Sequence, residues 1–532
     1  MERIQIANNI FKSLDNSEFK VHLYNKLINS FNKQSFQPGN DIFSNIEEEI
    51  LKDSELNEEF NNFIFSESFK FINNPKLLTN SVKDADNYLF QSQVSWEKRI
   101  LKSINSMCME FQIPLVKKRT DKEMKEIREK WTELSTLTKD LKTSYTFEET
   151  GSIRPVYAPK DFLEVLIKLK IGNCKISPPT SSEHNNWIFN WGLLQIPLRI
   201  KSIQELRIQF SELAIGQQQI GVDDIDKINI PFENERQNLA KIILESRNAA
   251  ACQEFAKSGC QLENRRKIWY TIFNINITQS TYNYYNQLKQ NVFEYDLLID
   301  SLLFMEVKLT ATNDDTYFVF EDYLYQILLP FSRDTSLLKV FEASTASPAK
   351  ISVRVKSSND QSSIFYPPSG ILPFHGFSML VVPMCYFIDD PVELYVMFKE
   401  MYSRYFHKLH SISDDPQGIL SLCVLFEATL QSLEPELFFY LRSVGIQPIR
   451  LAFKWIMRGF SGFLAADQVL LLWDRIVGYE SLEMLSLLAV AVFQFRKSNL
   501  FITTSLPIAE AVLADLTTVQ VIPLLQLALF SR

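Results

Sequence analysis

Apolar positions recur at helical spacing along most of this chain, most plainly between Glu434 and Gly478. The stretch EPELFFYLRSVGIQPIRLAFKWIMRGFSGFLAADQVLLLWDRIVG divides itself into three helices. The first opens with Pro435, whose missing N–H costs nothing in a first turn, and stops at Gly445, which tolerates the left-handed backbone past a helix end. Leu437, Phe438, Leu441 and Val444 share its apolar face. The second restarts at Pro448 and carries Ile449, Phe453, Ile456, Met457 and Phe460 at spacings of three and four. The third runs from about Ala466 to Gly478, with Val469, Leu470, Trp473 and Val477 inward and Asp467 at the positive end of the helix dipole. Three apolar faces in succession require a common core, and Trp473 belongs in it.

Upstream the same period returns. From Ser95, SWEKRILKSINSMCMEFQIPL predicts a helix with Trp96, Ile100, Ile104 and Met107 on one side, ending near Pro114. Thr120 and Glu123 have capping-box spacing and open the charged helix DKEMKEIREKW. The preceding Lys117, Lys118 and Arg119 read as a solvated face, with acidic lipid as the sharper alternative. Residues 172–186 are a Pro/Ser-rich loop, and WIFNWGLLQIPLRI at 187–200 is the one good strand candidate of this half. Ser202 and Glu205 repeat the capping-box spacing. Residues 1–90 hold an acidic patch at Glu47, Glu48 and Glu49 and an amphipathic stretch with Phe60, Phe63, Ile64 and Phe69, but no readable chemistry.

Composition narrows the class. With 532 residues, 46% of them hydrophobic, the chain has material for two to four domains. A net charge of -8 argues against nucleic acid as the principal partner. No G-x-G-x-x-G or G-x-x-x-x-G-K-[ST] pattern occurs, so no phosphate-cradling loop is expected. Six scattered cysteines without a C-x-x-C pair suit reduced thiols and a cytoplasmic location. The apolar run Leu485 to Phe495 is about half the length a bilayer-spanning helix needs and reads as a buried helix, so no transmembrane segment is expected. The N terminus has neither signal-peptide nor transit-peptide character. Five histidines leave little for a metal site; His407 and His410, three apart on a helix, read as a packed or solvated pair, and no metal is expected.

The C-terminal pattern, with P-E-L opening a helix, G-I-x-P, the Lys454–Trp455 pair and D-x-V-L-x-L-W-D-x-I ending in Trp473 and Asp474, resembles the TBC domain, an all-helical module that binds Rab GTPases. The resemblance implies an all-α fold and divides the chain into an uninformative helical segment at 1–90, a mostly helical region at 91–240 and a TBC-type domain at 241–532. Arg265 and Trp269 match the family's R-x-x-x-W and take structural roles, as do Trp455, Trp473 and Asp474. Most members accelerate GTP hydrolysis with an arginine from I-x-x-D-x-x-R and a glutamine from Y-x-Q. Aligned on Phe293 and Asp296, the arginine position is Ile299, which can donate no hydrogen bond to a phosphate. Where the family reads Y-x-Q-G-M-N, this chain reads Pro373-Phe374-His375-Gly376-Phe377-Ser378, with His375 at the glutamine position. A neutral imidazole can hold a water, and a structural turn histidine fits equally well. Tyr323 to Gln326 is discounted as part of the preceding helix.

Between that helix and the loop, about thirty-five residues from Ser336 to Gly370 are inserted, including the alternating ISVRVK and the turn-forming FYPPSG. The default reading is a surface loop, beside a cap on the groove or a contact for another partner. Arg354 within it and Arg333 just before it are candidates to replace the missing arginine. The Rab-binding groove is expected at Asp296, Ile299, Asp300, Phe374, His375 and Gly376. No cofactor of the chain's own is implied, Mg²⁺ and GTP belonging to the partner, and membrane association would be peripheral, through that partner. The readings are a Rab GTPase activator with both finger positions substituted, a Rab-binding module without catalysis, and a helical scaffold. Ile299→Arg with His375→Gln is expected to raise hydrolysis for a Rab that already binds, unless the insertion from Ser336 to Gly370 blocks the groove.

Overall fold

The computed structural model describes residues 20–21, 82–137, 155–169, 192–194, 196, 198–222, 230–313, 317–342, 351–354 and 363–530. The expectations placed on Glu47 to Glu49, Phe60 to Phe69 and the 172–186 loop lie outside them. The chain divides into two compact units, residues 1–85 with 171–182 and residues 86–170 with 183–532. Everything below concerns the second, which runs across residue 240 without a break.

This unit is helical almost throughout. Helix α1, Val82–Phe111, begins more than three turns before Ser95 and buries Trp96, Ile100, Ile104 and Met107 along one side. Strand β1, Val116–Lys118, follows, and α2, Asp121–Glu129, opens on a reciprocal Thr120–Glu123 capping box. Helix α3 is Pro159–Ile167, and α4, Ile203–Gln209, has its own box at Ser202 and Glu205. Each box satisfies two orphan donors at a helix start, which is why both starts were legible.

The 187–200 strand is not formed by its described residues. A strand needs a backbone partner, whereas here the Leu193 and Leu194 N–H groups donate to the buried Glu427 carboxylate at 2.8 and 3.2 Å.

The chain continues through α5 (Ile230–Ser246), α6 (Ala249–Lys257), α7 (Leu262–Phe273) and α8 (Gln279–Glu294). Strand β2, Tyr295–Leu297, leads straight into α9, Leu298–Asn313. It pairs antiparallel with β1, Val116 opposite Leu297 and Lys118 opposite Tyr295. Helix α10 is Glu321–Arg333 and α11 is Ser336–Glu342. The insertion then forms a hairpin, β3 (Ile351–Arg354) antiparallel to β4 (Ser363–Tyr366), so ISVR is a strand as its alternation predicts.

Helices α12 (Pro391–Arg404) and α13 (Ile419–Leu433) precede the self-punctuating stretch. There α14 is Pro435–Ser443, α15 Pro448–Met457 and α16 Ala466–Tyr479. Every expected core residue of the three is buried except Val444, which sits half-buried past the end of α14. Gly445 is left-handed at φ 79°, and so are Gly459 and Phe460, which stop α15. Helix α17, Glu483–Phe495, absorbs the strongest apolar run. Helices α18 (Lys497–Leu500), α19 (Leu506–Val512) and α20 (Val521–Phe530) complete the chain.

The core forms where α16 meets α6, α17 meets α13 and α20, and α15 meets α13 and α3. Trp269, Trp455 and Trp473 are all within it, at 1% exposure or less. No helix among the described residues is long and apolar enough to cross a membrane.

Candidate functional site

Three segments far apart in sequence build the site. The first is a polar node that fixes α7 against α16. Asp474, fully buried, accepts from Arg265 Nε at 3.0 Å, from Arg265 Nη2 at 2.9 Å, from Trp269 Nε1 at 3.0 Å and from the Cys260 N–H at 2.9 Å. Arg265 Nη2 also donates to the Cys260 carbonyl at 2.8 Å. One buried carboxylate thus receives four donors, which satisfies its oxygens inside the core. Trp473, beside it, donates to the Gly459 carbonyl at 2.9 Å. Burial and the Asp474 charge push the Cys260 thiol well up.

The second segment holds the residues aligned in the sequence with the family's I-x-x-D-x-x-R pattern. Phe293 is buried with its ring edge-on to Trp131, Asp296 is about a quarter exposed, and Ile299, in the first turn of α9, is 1% exposed. Asp300 is equally buried. Arg333 grips it with both terminal nitrogens, Nη2 at 2.6 Å, and donates to the Tyr295 carbonyl at 3.0 Å. Arg119 adds Nη2 contacts to Asp296 at 3.0 Å and to Asp300 at 3.3 Å. Burial, helped by Asp300, raises the Asp296 pKa against the pull of Arg119 and Arg333. The alternative register of the same motif, Leu297, Asp300 and Leu303, ends on another buried apolar residue. Neither register supplies an arginine. Arg333 is committed to the interior, and the side chain of Arg354 lies outside what the structure describes.

The basic triplet before α2 is therefore divided. Lys117 and Lys118 face solvent in surface pairs with Glu123 and Glu294. Arg119 is 14% exposed and turned onto the finger segment, so for it the solvated reading fails. Sequence reasoning missed it because a three-residue strand leaves almost no pattern. The available signal was two acids, Asp296 and Asp300, in an otherwise largely apolar run and therefore in need of a cation.

The third segment is the loop at the glutamine position. A turn from Pro367 to Gly370, closed by a 2.9 Å bond and a left-handed Gly370, delivers it from the hairpin. Phe374 is buried against Tyr157, Phe377 and His410. The His375 N–H donates to the Tyr157 carbonyl at 3.0 Å, and Arg458 Nη2 donates to the His375 carbonyl at 2.7 Å. Gly376 has φ 101°, and a Cβ there would overlap the Arg458 guanidinium, so both conformation and space require glycine. Its N–H donates to Glu306 Oε1, on α9, at 2.5 Å. Within this loop the His375 side chain reaches solvent, at 41% exposure, while Phe374 and Phe377 are pinned beneath it.

Of the expected groove residues, Ile299, Asp300, Phe374 and Gly376 are buried, whereas Asp296 and His375 reach the surface. His407 and His410 lie in and just after a 3₁₀ turn, Phe406–Leu409, rather than on an α-helix. His410 contacts the Met457 carbonyl at 3.0 Å, and burial pushes its pKa down to about 3, so it packs as a neutral ring. Among the described residues no group of three or more His, Cys, Asp or Glu side chains is placed to hold a metal.

A helical domain with a buried R-x-x-x-W/W-D node and a pinned glycine loop defines a TBC-type module. The family model described as Rab-GTPase-TBC domain matches residues 374–501. Human TBC1 domain family member 19 is 48% identical over 486 residues, covering 91% of this chain and 90% of its own length. The chain belongs to the TBC domain family of Rab-GAP proteins. Among solved structures, the Ypt/Rab-GAP domain of Gyp1p aligns at 11% identity with a TM-score of 0.35, covering 62% of this chain and 97% of that one.

Proposed function

We propose that this protein engages the GTP-bound form of a Rab-family GTPase through a TBC-type domain spanning 241–532, with His375 on the contacting surface. The partner brings GTP and Mg²⁺, and the chain contributes no cofactor of its own. Its place is the cytoplasm, with any membrane contact made through the partner.

The observation that carries the catalytic half of the reading is the 1% exposure of Ile299. An arginine finger contributes about 10³ to 10⁵ in rate, or about 4 to 7 kcal/mol of barrier. A buried isoleucine contributes none of it, and Arg333 is spent on Asp300. Affinity and transition-state stabilisation are separable, so binding survives the loss. The protein is accordingly a Rab-directed member of an activator family whose acceleration stays below about a hundredfold, short of what a finger supplies.

A panel of GTP-loaded Rab GTPases, scored for binding to the full chain and for single-turnover hydrolysis, tests both halves. Binding by at least one Rab with acceleration below that limit is expected. Absence of binding across the panel would favour the helical-scaffold reading, and rapid hydrolysis would require a finger from elsewhere in the chain.

A further inference from the structure

Helix α9 touches the glutamine-position loop through Glu306 and through Thr310, whose hydroxyl pairs with that of Ser378. Glu306 is 3% exposed, and its Oε1 accepts from the Gly376 N–H at 2.5 Å and from the Ser378 hydroxyl at 3.4 Å. Its Oε2 lies 3.5 Å from His375 Nδ1. Both of these atoms are shielded from solvent, and neither has a hydrogen-bond partner within the protein. A buried carboxylate oxygen and a buried imidazole nitrogen facing each other are each other's natural partner. Closing the gap by about half an ångström gives an ordinary N–H···O bond, and such bonds at reactive sites tighten when the complex forms.

The exposed edge of the ring follows by elimination. Nδ1 is covered, whereas Nε2 is neither shielded nor hydrogen-bonded within the protein, so Nε2 lies within the 41% of the side chain that is open. If Nδ1 carries the proton toward Glu306, the Nε2 lone pair faces outward and accepts. Arg458, whose charge also interacts with Glu306, spends its Nη2 on the His375 carbonyl, not on the ring.

We propose that Glu306 is a positioning residue that holds His375 in the Nδ1–H tautomer, so that Nε2 accepts a hydrogen bond from the water attacking GTP on a bound Rab. This rests on the Rab reading above and adds what the substituted loop does there. The water oxygen forms the new bond to the γ-phosphorus. The bond from that phosphorus to the β–γ bridging oxygen breaks with its electron pair left on GDP, and both water protons end on inorganic phosphate. Nε2 orients the water without consuming a proton, and His375 takes over one of the two finger roles while the arginine role stays vacant.

The informative variant is Glu306→Gln. Its amide oxygen still accepts from Gly376 N–H and preserves the loop, but its NH₂ now faces Nδ1. Donor meets donor unless the ring changes tautomer, which turns Nε2 into a donor. In the full chain with ¹⁵N-histidine, long-range ¹H–¹⁵N correlation should report Nδ1–H for His375, assigned by loss of its signal in His375→Gln, and Nε2–H in Glu306→Gln. A native Nε2–H tautomer, or no change in the variant, overturns the proposal whether or not any Rab binds.

Kinetics then separate positioning from structure. With a Rab selected by binding from the GTP-loaded panel, Glu306→Gln should lower single-turnover acceleration about tenfold, the lower end for loss of an orienting partner. In the His375→Gln background, where the amide needs no tautomer, the same substitution should change the rate less than about twofold. Equal losses in both backgrounds would mean that Glu306 is only structural, and a native chain that binds Rab without accelerating hydrolysis would remove the role of His375. Absence of binding throughout refutes the Rab reading and with it the catalytic role, while the tautomer measurement still decides the dyad.

Discussion

Arg265 and Asp474, separated by 209 positions in sequence, meet inside the core through three hydrogen bonds of 3.0, 3.3 and 2.9 Å. The contact ties the family's first motif, R-x-x-x-W on α7, to its last, W-D on α16. Removing one member of a buried pair leaves the other charge uncompensated, at a cost of about 3 to 5 kcal/mol. Asp474→Ala should therefore lower the urea midpoint by that equivalent, and it also orphans the Trp269 and Cys260 donors. An unmoved midpoint would show that the node does not hold the domain.

Reinstating the arginine is not a repair. Ile299 has no route to solvent, so Ile299→Arg places an unpaired guanidinium beside a core that has already matched its two acids to Arg119 and Arg333. The expectation drawn from the sequence, that the change combined with His375→Gln raises hydrolysis, is replaced by a loss of several kcal/mol of stability, as for other buried unpaired charges. Thermal denaturation of the single variant decides: a melting temperature within a degree or two of the parent's would mean that the α9 segment swings outward.

A chain starting at Asn234 should fail to fold alone. It loses Phe162, which is fully buried and packs on Phe453 of α15, and it loses α4, which packs on α20. It also strips Arg475 of two partners, Gln219 Oε1 at 2.9 Å and the Ile220 carbonyl at 2.6 Å, and burial already pushes that guanidinium down to about 10. A soluble truncated chain with a sharp unfolding transition near that of the full chain would contradict this.

Acid should weaken the fold through His410. Its folded pKa is pushed from 6.5 down to about 3 by burial, so between those values the unfolded chain takes up a proton that the folded chain refuses. Stability then falls as pH drops below about 6.5 and does not change on this account above 7. With its ring packed by Phe374 and Tyr402, the contribution lost between pH 7 and pH 5 should be on the order of 1 to 2 kcal/mol. Urea unfolding at the two pH values, compared with His410→Phe, measures it, and an identical pH slope in the variant would assign the acid sensitivity elsewhere.

Much of this architecture was written locally. Helix starts at Thr120, Ser202, Pro435 and Pro448 and the stop at Gly445 depend on interactions within a few residues, so spacing alone exposed them. That the residue aligned with the family's arginine is an isoleucine was equally legible, since chemistry is a property of the residue.

What the tertiary structure decided is orientation and partnership. Whether Ile299 faced a groove or the core depended on β1, brought from 180 residues away to pair with β2, and a three-residue strand has too short a period to read. The same distance hid Arg119 among neighbouring lysines. Glu306 carried no signal at all, because a glutamate on a helix is ordinarily solvated, and only the packing of α9 under the Gly376 loop turns this one inward toward His375.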